Sequence, residues 1–164
     1  MPVVACIGLG GNLGDAETTL RAAQEALDGM PGTRLVRASR LYRTPAWGKT
    51  EQPDFINAAA LLETRLSARE LLDGLLAIER EFGRTRAVDG SDRWGARTLD
   101  LDLLLYGDAE IVEPGLHVPH PHLHERAFAL LPLVEIAPDA AIPGRGLARD
   151  ALAVMATDDI EELG

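Results

Sequence analysis

Hydrophobic positions along the chain shift between a period of two and a period near 3.6, and the shifts mark out the elements. Val3 to Leu9 is a short apolar run that reads as a buried strand, and Gly8-Leu9-Gly10-Gly11-Asn12-Leu13-Gly14-Asp15 reads as a turn-rich loop after it. Ala16, Leu20, Ala23 and Leu27 then recur at helical spacing, with Gly29 and Pro31 supplying the stop. Leu35 to Tyr42 is expected as a second strand. Thr44 to Pro53 follows as a loop punctuated by two prolines and Gly48, and Phe55 to Thr64 as a third strand.

Ser67-Ala68-Arg69-Glu70 has the form of a capping box, in which serine and glutamate satisfy free amides at a helix start. Leu71, Leu75, Ile78 and Phe82 continue that helix on one face, and Gly83 closes it. No apolar period runs from Gly83 to Arg97, and a loop of that length in a compact domain is usually functional. Leu99 to Tyr106 reads as a fourth strand, Ile111 to Val118 as a shorter extended stretch, and Arg126 to Ile136 and Leu147 to Ala156 as helices. Asp158 to Glu162 reads as a frayed tail, so the expected organisation is one domain over 1–157 and an acidic C-terminal tail over 158–164. Two successive strands between the first two helices indicate a mixed or antiparallel sheet with helices packed on it, of the α+β class.

Composition narrows the class further. A hydrophobic share of 46% and a charged share of 26% are ordinary for a globular protein, and no apolar run approaches the roughly 20 residues of a membrane span. Met1 to Cys6 enters an apolar run without the basic flank of a signal peptide, so the cytoplasm is the expected compartment. Cys6 is the only cysteine, which excludes a disulfide framework and suits a small buried strand residue. The net charge of -10 argues against nucleic-acid binding. Between Arg84 and Arg97 the balance reverses, with Arg84, Arg86, Arg93 and Arg97 against Asp89 and Asp92, a local net of +2 that suits a small anion.

The fourth strand carries the sharpest chemistry. Alternation puts Asp100 and Asp102 on one face, about 7 Å apart, with Leu99, Leu101 and Leu103 on the other. Two carboxylates so placed repel at a partly buried site unless a cation lies between them, and oxygen ligands select a hard ion such as magnesium. A bare pair of this kind also suits the wet face of an antiparallel sheet. Arg97 and the basic loop favour the metal, because they supply positive charge where transferred phosphoryl oxygens gain negative charge. Trp94 in that loop offers a stacking surface for a flat ring, or a plug for the core.

Phe55 and Asn57 share a face of the third strand, an aromatic platform beside a bidentate amide, with Trp47 in the loop just before it. The glycine-rich loop fits neither nucleotide-binding pattern: Leu13 stands where G-x-G-x-x-G needs glycine, and no Gly-Lys pair precedes Ser or Thr. It reads as structural. All four histidines fall within 117–124, which suits either a transition-metal site along an extended segment or, with Arg126 behind, phosphate contact by His120.

Five ordered blocks carry a resemblance: Gly11-Asn12-Leu13-Gly14, Tyr42-Arg43-Thr44-Pro45, Gln52 to Ala58, Arg93 to Asp102, and Val118-Pro119-His120-Pro121 through Phe128. Over nearly its whole length the chain resembles the 6-hydroxymethyl-7,8-dihydropterin pyrophosphokinases of the folate pathway. The resemblance implies a ferredoxin-like α+β scaffold, ATP as co-substrate, two magnesium ions and a monomer acting on small molecules. It implies that Asp100 and Asp102 hold the ions and that Arg84 and Arg97 assist transfer. Thr44, Pro45, Trp47, Phe55, Asn57, Trp94 and Phe128 would form the pterin pocket. Glu79, Arg86, Trp94, Arg97, Leu103, His117, His120 and Arg126 would surround ATP. Leu76, Gly115 and Pro121 depart from the pattern of the best-known members.

Overall fold

The computed structural model describes residues 1–12, 14–45, 54–83 and 98–163. Its elements run β1 (Val3–Gly11), α1 (Ala16–Asp28), β2 (Thr33–Ala38), β3 (Tyr42–Thr44), β4 (Phe55–Thr64), α2 (Ala68–Phe82), β5 (Asp100–Tyr106), β6 (Ile111–Glu113), β7 (Leu116–Val118), α3 (Ala127–Ile136), β8 (Ala141–Ile142), β9 (Gly146–Leu147), α4 (Ala148–Ala153) and β10 (Glu161–Glu162). Among the described residues the main sheet has the order β10-β3-β4-β1-β5, with β2 also on β4, and all of its pairings are antiparallel. The β1-α1-β2-β4-α2-β5 succession on that sheet is the ferredoxin-like arrangement the sequence led us to expect.

Alternation along the strands feeds two cores. Ala5, Ile7 and Leu9 of β1, Ala58, Ala60 and Leu62 of β4, and Leu101 and Leu103 of β5 pack with Leu20, Leu27, Leu71 and Leu75 of α1 and α2. On the other face Cys6, Leu104 and Leu105 pack with Leu130 and Leu133 of α3 and Ala148 of α4. Burial there pushes the Cys6 thiol up to about 12, so it serves as a small apolar residue. The expected capping box is formed at α2, with Ser67 Oγ accepting the Glu70 amide at 3.1 Å and Glu70 Oε1 accepting the Ser67 amide at 2.9 Å.

Four expectations change. Gly8, Gly10 and Gly11, read as part of a loop, belong to β1, which continues to Gly11, while Gly14 turns at φ +60°. The strand expected from Leu35 to Tyr42 is two strands on one partner, because Ser39 Oγ takes the Ala59 amide at 2.8 Å and breaks the run. The stretch from Ile111 to Val118 folds back as the β6–β7 hairpin, with Gly115 at φ +74°. The acidic tail is not frayed at Glu161–Glu162, which form β10 against β3, and the Leu163 amide donates to the Leu41 carbonyl at 2.8 Å. Among the described residues no helix is long and apolar enough to cross a membrane.

Candidate active site

Register assembles the site. Across the sheet, Tyr42 pairs with Asn57, Asn57 with Gly10, and Gly10 with Asp100; two residues along in one direction Thr44 pairs with Phe55, and two residues along in the other Gly8 pairs with Asp102. Residues opposite one another in antiparallel strands, and residues two apart within a strand, share a face. Thr44, Phe55, Asn57, Gly8, Gly10, Asp100 and Asp102 therefore lie on the face that α3 covers. The two glycines sit in the middle and project nothing, leaving a trough between the aromatic-amide end and the acidic end.

A cavity of about 400 Å³ occupies that trough. Thr44, Pro45, Phe55 and Asn57 line one end, Asp100 and Asp102 the other, and His120, Arg126 and Phe128 the roof. Asn57 Nδ2 donates to Thr44 Oγ1 at 3.0 Å, which fixes a buried amide beside the Phe55 ring. The Arg126 guanidinium lies 5.7 Å from the centre of the Phe128 ring, at cation–π range.

The acidic end is electrostatically uneasy. Asp102 opens into the cavity but is hemmed in by protein, and desolvation raises its carboxyl pKa while Arg126 works in the opposite direction. Glu79 of α2 accepts the Leu101 amide at 2.6 Å, so its carboxylate fixes the strand that carries the aspartates. His120 is also positioned by backbone, its amide donating to the Leu104 carbonyl at 3.0 Å. Its ring is held neutral, with a pKa near 4, mainly by burial and then by Arg126, His122 and His117. A neutral ring agrees with its Nδ1 accepting the His122 amide at 3.2 Å.

A second cavity of about 280 Å³ adjoins the first, with Asp102 and His120 in the shared wall. Leu103 and His117 line it, together with the departing positions Gly115 and Pro121. Leu103 is otherwise packed in the α1–α2 core, while His117 is exposed, with Nδ1 3.0 Å from the Pro119 carbonyl. Leu76 is exposed on α2. The histidine run is not one extended segment, because Leu123–Glu125 is a 3-10 turn. His122 Nδ1 lies 3.0 Å from Glu125 Oε1, and among the described residues no three His, Cys, Asp or Glu side chains gather as a metal site. Trp47, Arg84, Arg86, Trp94 and Arg97 lie outside the described residues.

Of the residues that form the trough, Gly8 and Gly10 escaped the sequence reading. Their i, i+2 spacing was visible, but what stands beside them depends on strand pairing.

An acidic pair, a roofing guanidinium and an aromatic-amide platform around one cavity on an antiparallel α+β sheet suit an enzyme of phosphoryl-group transfer. Residues 6–138 match the model of the 7,8-dihydro-6-hydroxymethylpterin-pyrophosphokinase family, and the chain belongs to that family. It is similar to the 2-amino-4-hydroxy-6-hydroxymethyldihydropteridine pyrophosphokinase of Methylorubrum extorquens, 44% identical over 97% of this chain and 98% of that one. The protein of the same name from Pseudomonas aeruginosa is 43% identical over 96% of this chain and 94% of its own. Among solved structures, wild-type Plasmodium falciparum HPPK-DHPS aligns over 93% of this chain and 44% of that chain, with a TM-score of 0.71 and 14% identity. A triple mutant of the same protein with pteroate aligns over 99% of this chain and 47% of its own, with a TM-score of 0.74 and 12% identity. This chain spans less than half of those structures, and the likeness is one of fold.

Proposed function

We propose that this chain transfers the terminal diphosphate of ATP to the hydroxymethyl group of 6-hydroxymethyl-7,8-dihydropterin, releasing AMP and the pterin diphosphate in folate biosynthesis. The observation that carries this reading is the single trough in which Phe55 and Asn57 stand at one end and Asp100 and Asp102 at the other. Phe55 and Phe128 offer apolar faces to a flat heterocycle. Asn57 and Thr44 offer hydrogen bonds to its edge.

Asp100 and Asp102 are the residues that would hold magnesium. The fit rests on their donor chemistry and on the desolvation that leaves Asp102 in want of a cation. Magnesium, taken as two ions, would supply charge neutralisation for the triphosphate and would favour loss of the proton from the attacking hydroxyl. Arg126 offers a guanidinium to phosphate oxygens, and neutral His120 offers Nε2–H as a donor. In the reaction the pterin hydroxyl oxygen attacks the β-phosphorus, the bond to the α-phosphate bridging oxygen breaks, and AMP leaves. Glu79, Arg86, Leu103 and His117 are assigned to the surroundings of ATP, and Arg84 and Arg97 to assistance of transfer. Trp47 and Trp94 are assigned to the pterin pocket. These roles follow the family resemblance. We read the protein as a cytoplasmic monomer; one chain supplies both ends of the trough, so the site needs no second copy.

The test is AMP release from ATP, magnesium and 6-hydroxymethyl-7,8-dihydropterin. Asp102→Asn is expected to lower turnover at least about a hundredfold at saturating magnesium, with folding retained. Undiminished turnover would remove the aspartate from the metal site, and absence of AMP with the unaltered protein would overturn the reaction.

A further inference from the structure

Tyr42 is buried, and its hydroxyl takes no part in the chemistry above. That hydroxyl donates to Glu135 Oε1 at 2.6 Å, and the same carboxylate accepts the Arg40 amide at 3.1 and 3.2 Å. Arg37 Nη1 adds a bond to the Ile136 carbonyl at 3.3 Å. The last turn of α3 is thus fastened to the β2–β3 edge of the sheet. Burial, and then the Glu135 contact, hold the Tyr42 phenol well above its ordinary pKa, so it remains a donor at any working pH.

The opposite end of α3 is held by packing, with Leu130 fully buried, rather than by a side-chain bond to the sheet. Arg126 at its N-terminus makes no side-chain cap, and Pro132, inside the helix, has no N–H to give the Phe128 carbonyl four residues back. Phe128 and Glu135 are seven residues apart, hence about two turns and about 10 Å along the same side of the helix. On the sheet, Tyr42 pairs with Asn57 and Thr44 with Phe55. The patch of sheet that anchors α3 is therefore continuous with the floor of the slot, and the anchored helix carries its roof.

We propose that the Tyr42–Glu135 hydrogen bond is the positioning device that sets the spacing between Phe55 on the sheet and Phe128 on α3, and with it the fit of the slot to a flat heterocycle. The proposal rests on the functional reading above. Carbon contacts are best at about 3.5–4.0 Å, so a ring held between two others needs them about 7–8 Å apart. A gap of about 0.5–1 Å on one side forfeits a quarter to a half of the dispersion attraction there. The acidic end has separate anchors, Glu79 on the Leu101 amide and the His120 amide on Leu104. Arg126, at the start of α3 beside Phe128, is shared with the phosphate side, so loss of the tie acts mainly on the pterin and only weakly on ATP.

Steady-state kinetics with each substrate varied in turn, beside thermal melts, test this. Tyr42→Phe and Glu135→Leu are each expected to raise the pterin KM by about fivefold, the worth of one hydrogen bond, with kcat and the KM for ATP within about twofold. Glu135→Gln keeps an acceptor oxygen for both donors and is expected to behave as the unaltered protein. This conservative variant folds on the same contacts, so it separates positioning from collapse even if Tyr42→Phe melts early. An unchanged pterin KM in Glu135→Leu, or both KM values rising together, would overturn the proposal. If the unaltered protein formed no AMP from this pterin, the reaction itself would fall and the slot proposal with it, a result distinct from either of those.

Discussion

Gly10 and Asn57 stand opposite one another on β1 and β4, and a methyl group on Gly10 would lie 3.2 Å from Asn57 Oδ1. That amide is buried and already tied through Nδ2 to Thr44 Oγ1, so it has little room to retreat. Gly10→Ala is expected to turn the Asn57 amide and raise the pterin KM about tenfold, with the KM for ATP unaltered. Gly10 is not among the glycines with positive φ, so the strand accepts alanine and the thermal midpoint should change little. A pterin KM equal to that of the unaltered protein would remove the Asn57 amide from ligand recognition.

His120 makes acid stability a measurable property of the site. Its folded pKa is about 4, below the ordinary value of 6.5 that it has when unfolded. As the pH falls below 6.5, the unfolded chain takes up a proton that the folded chain refuses until about pH 4, so this residue lowers stability progressively across that window. His120→Gln removes this titrating group. Its melting temperature should fall less between pH 7 and pH 5 than that of the unaltered protein, and parallel pH curves would show that the ring is not held neutral.

β10 is a small element with a defined load. It covers the outer edge of β3, where Leu163 bonds to Leu41 and the ion pairs Arg40–Glu162 and Arg43–Glu161 close at 2.9 and 3.2 Å. Both pairs are exposed, and such pairs add little. Removal of residues after Thr157 is expected to cost about 1–2 kcal/mol in denaturant unfolding, mostly from lost main-chain bonds. The difference should persist at high salt; its disappearance there would assign the load to the ion pairs.

Local pattern was enough for the elements whose cause is local. The capping box at Ser67 and Glu70, the apolar face of α2, and the shared side of Asp100 and Asp102 each depend on residues a few positions apart, and backbone geometry translates such spacing directly into direction. The family was legible as well, because its blocks lie in the chain as continuous runs. Tertiary structure decided what stands beside what. Ser39 splits a strand only because Ala59 offers its amide, and the acidic tail becomes β10 only because β3 leaves an edge for it. Gly8 and Gly10 become the floor of a cavity only because β1 lies between β4 and β5. The roof depends on a bond between Tyr42 and Glu135, residues far apart in the chain. Periodicity fixes the face on which a side chain lies, whereas neighbours across the sheet are set by pairing and helix docking, whose energies depend on the whole folded chain.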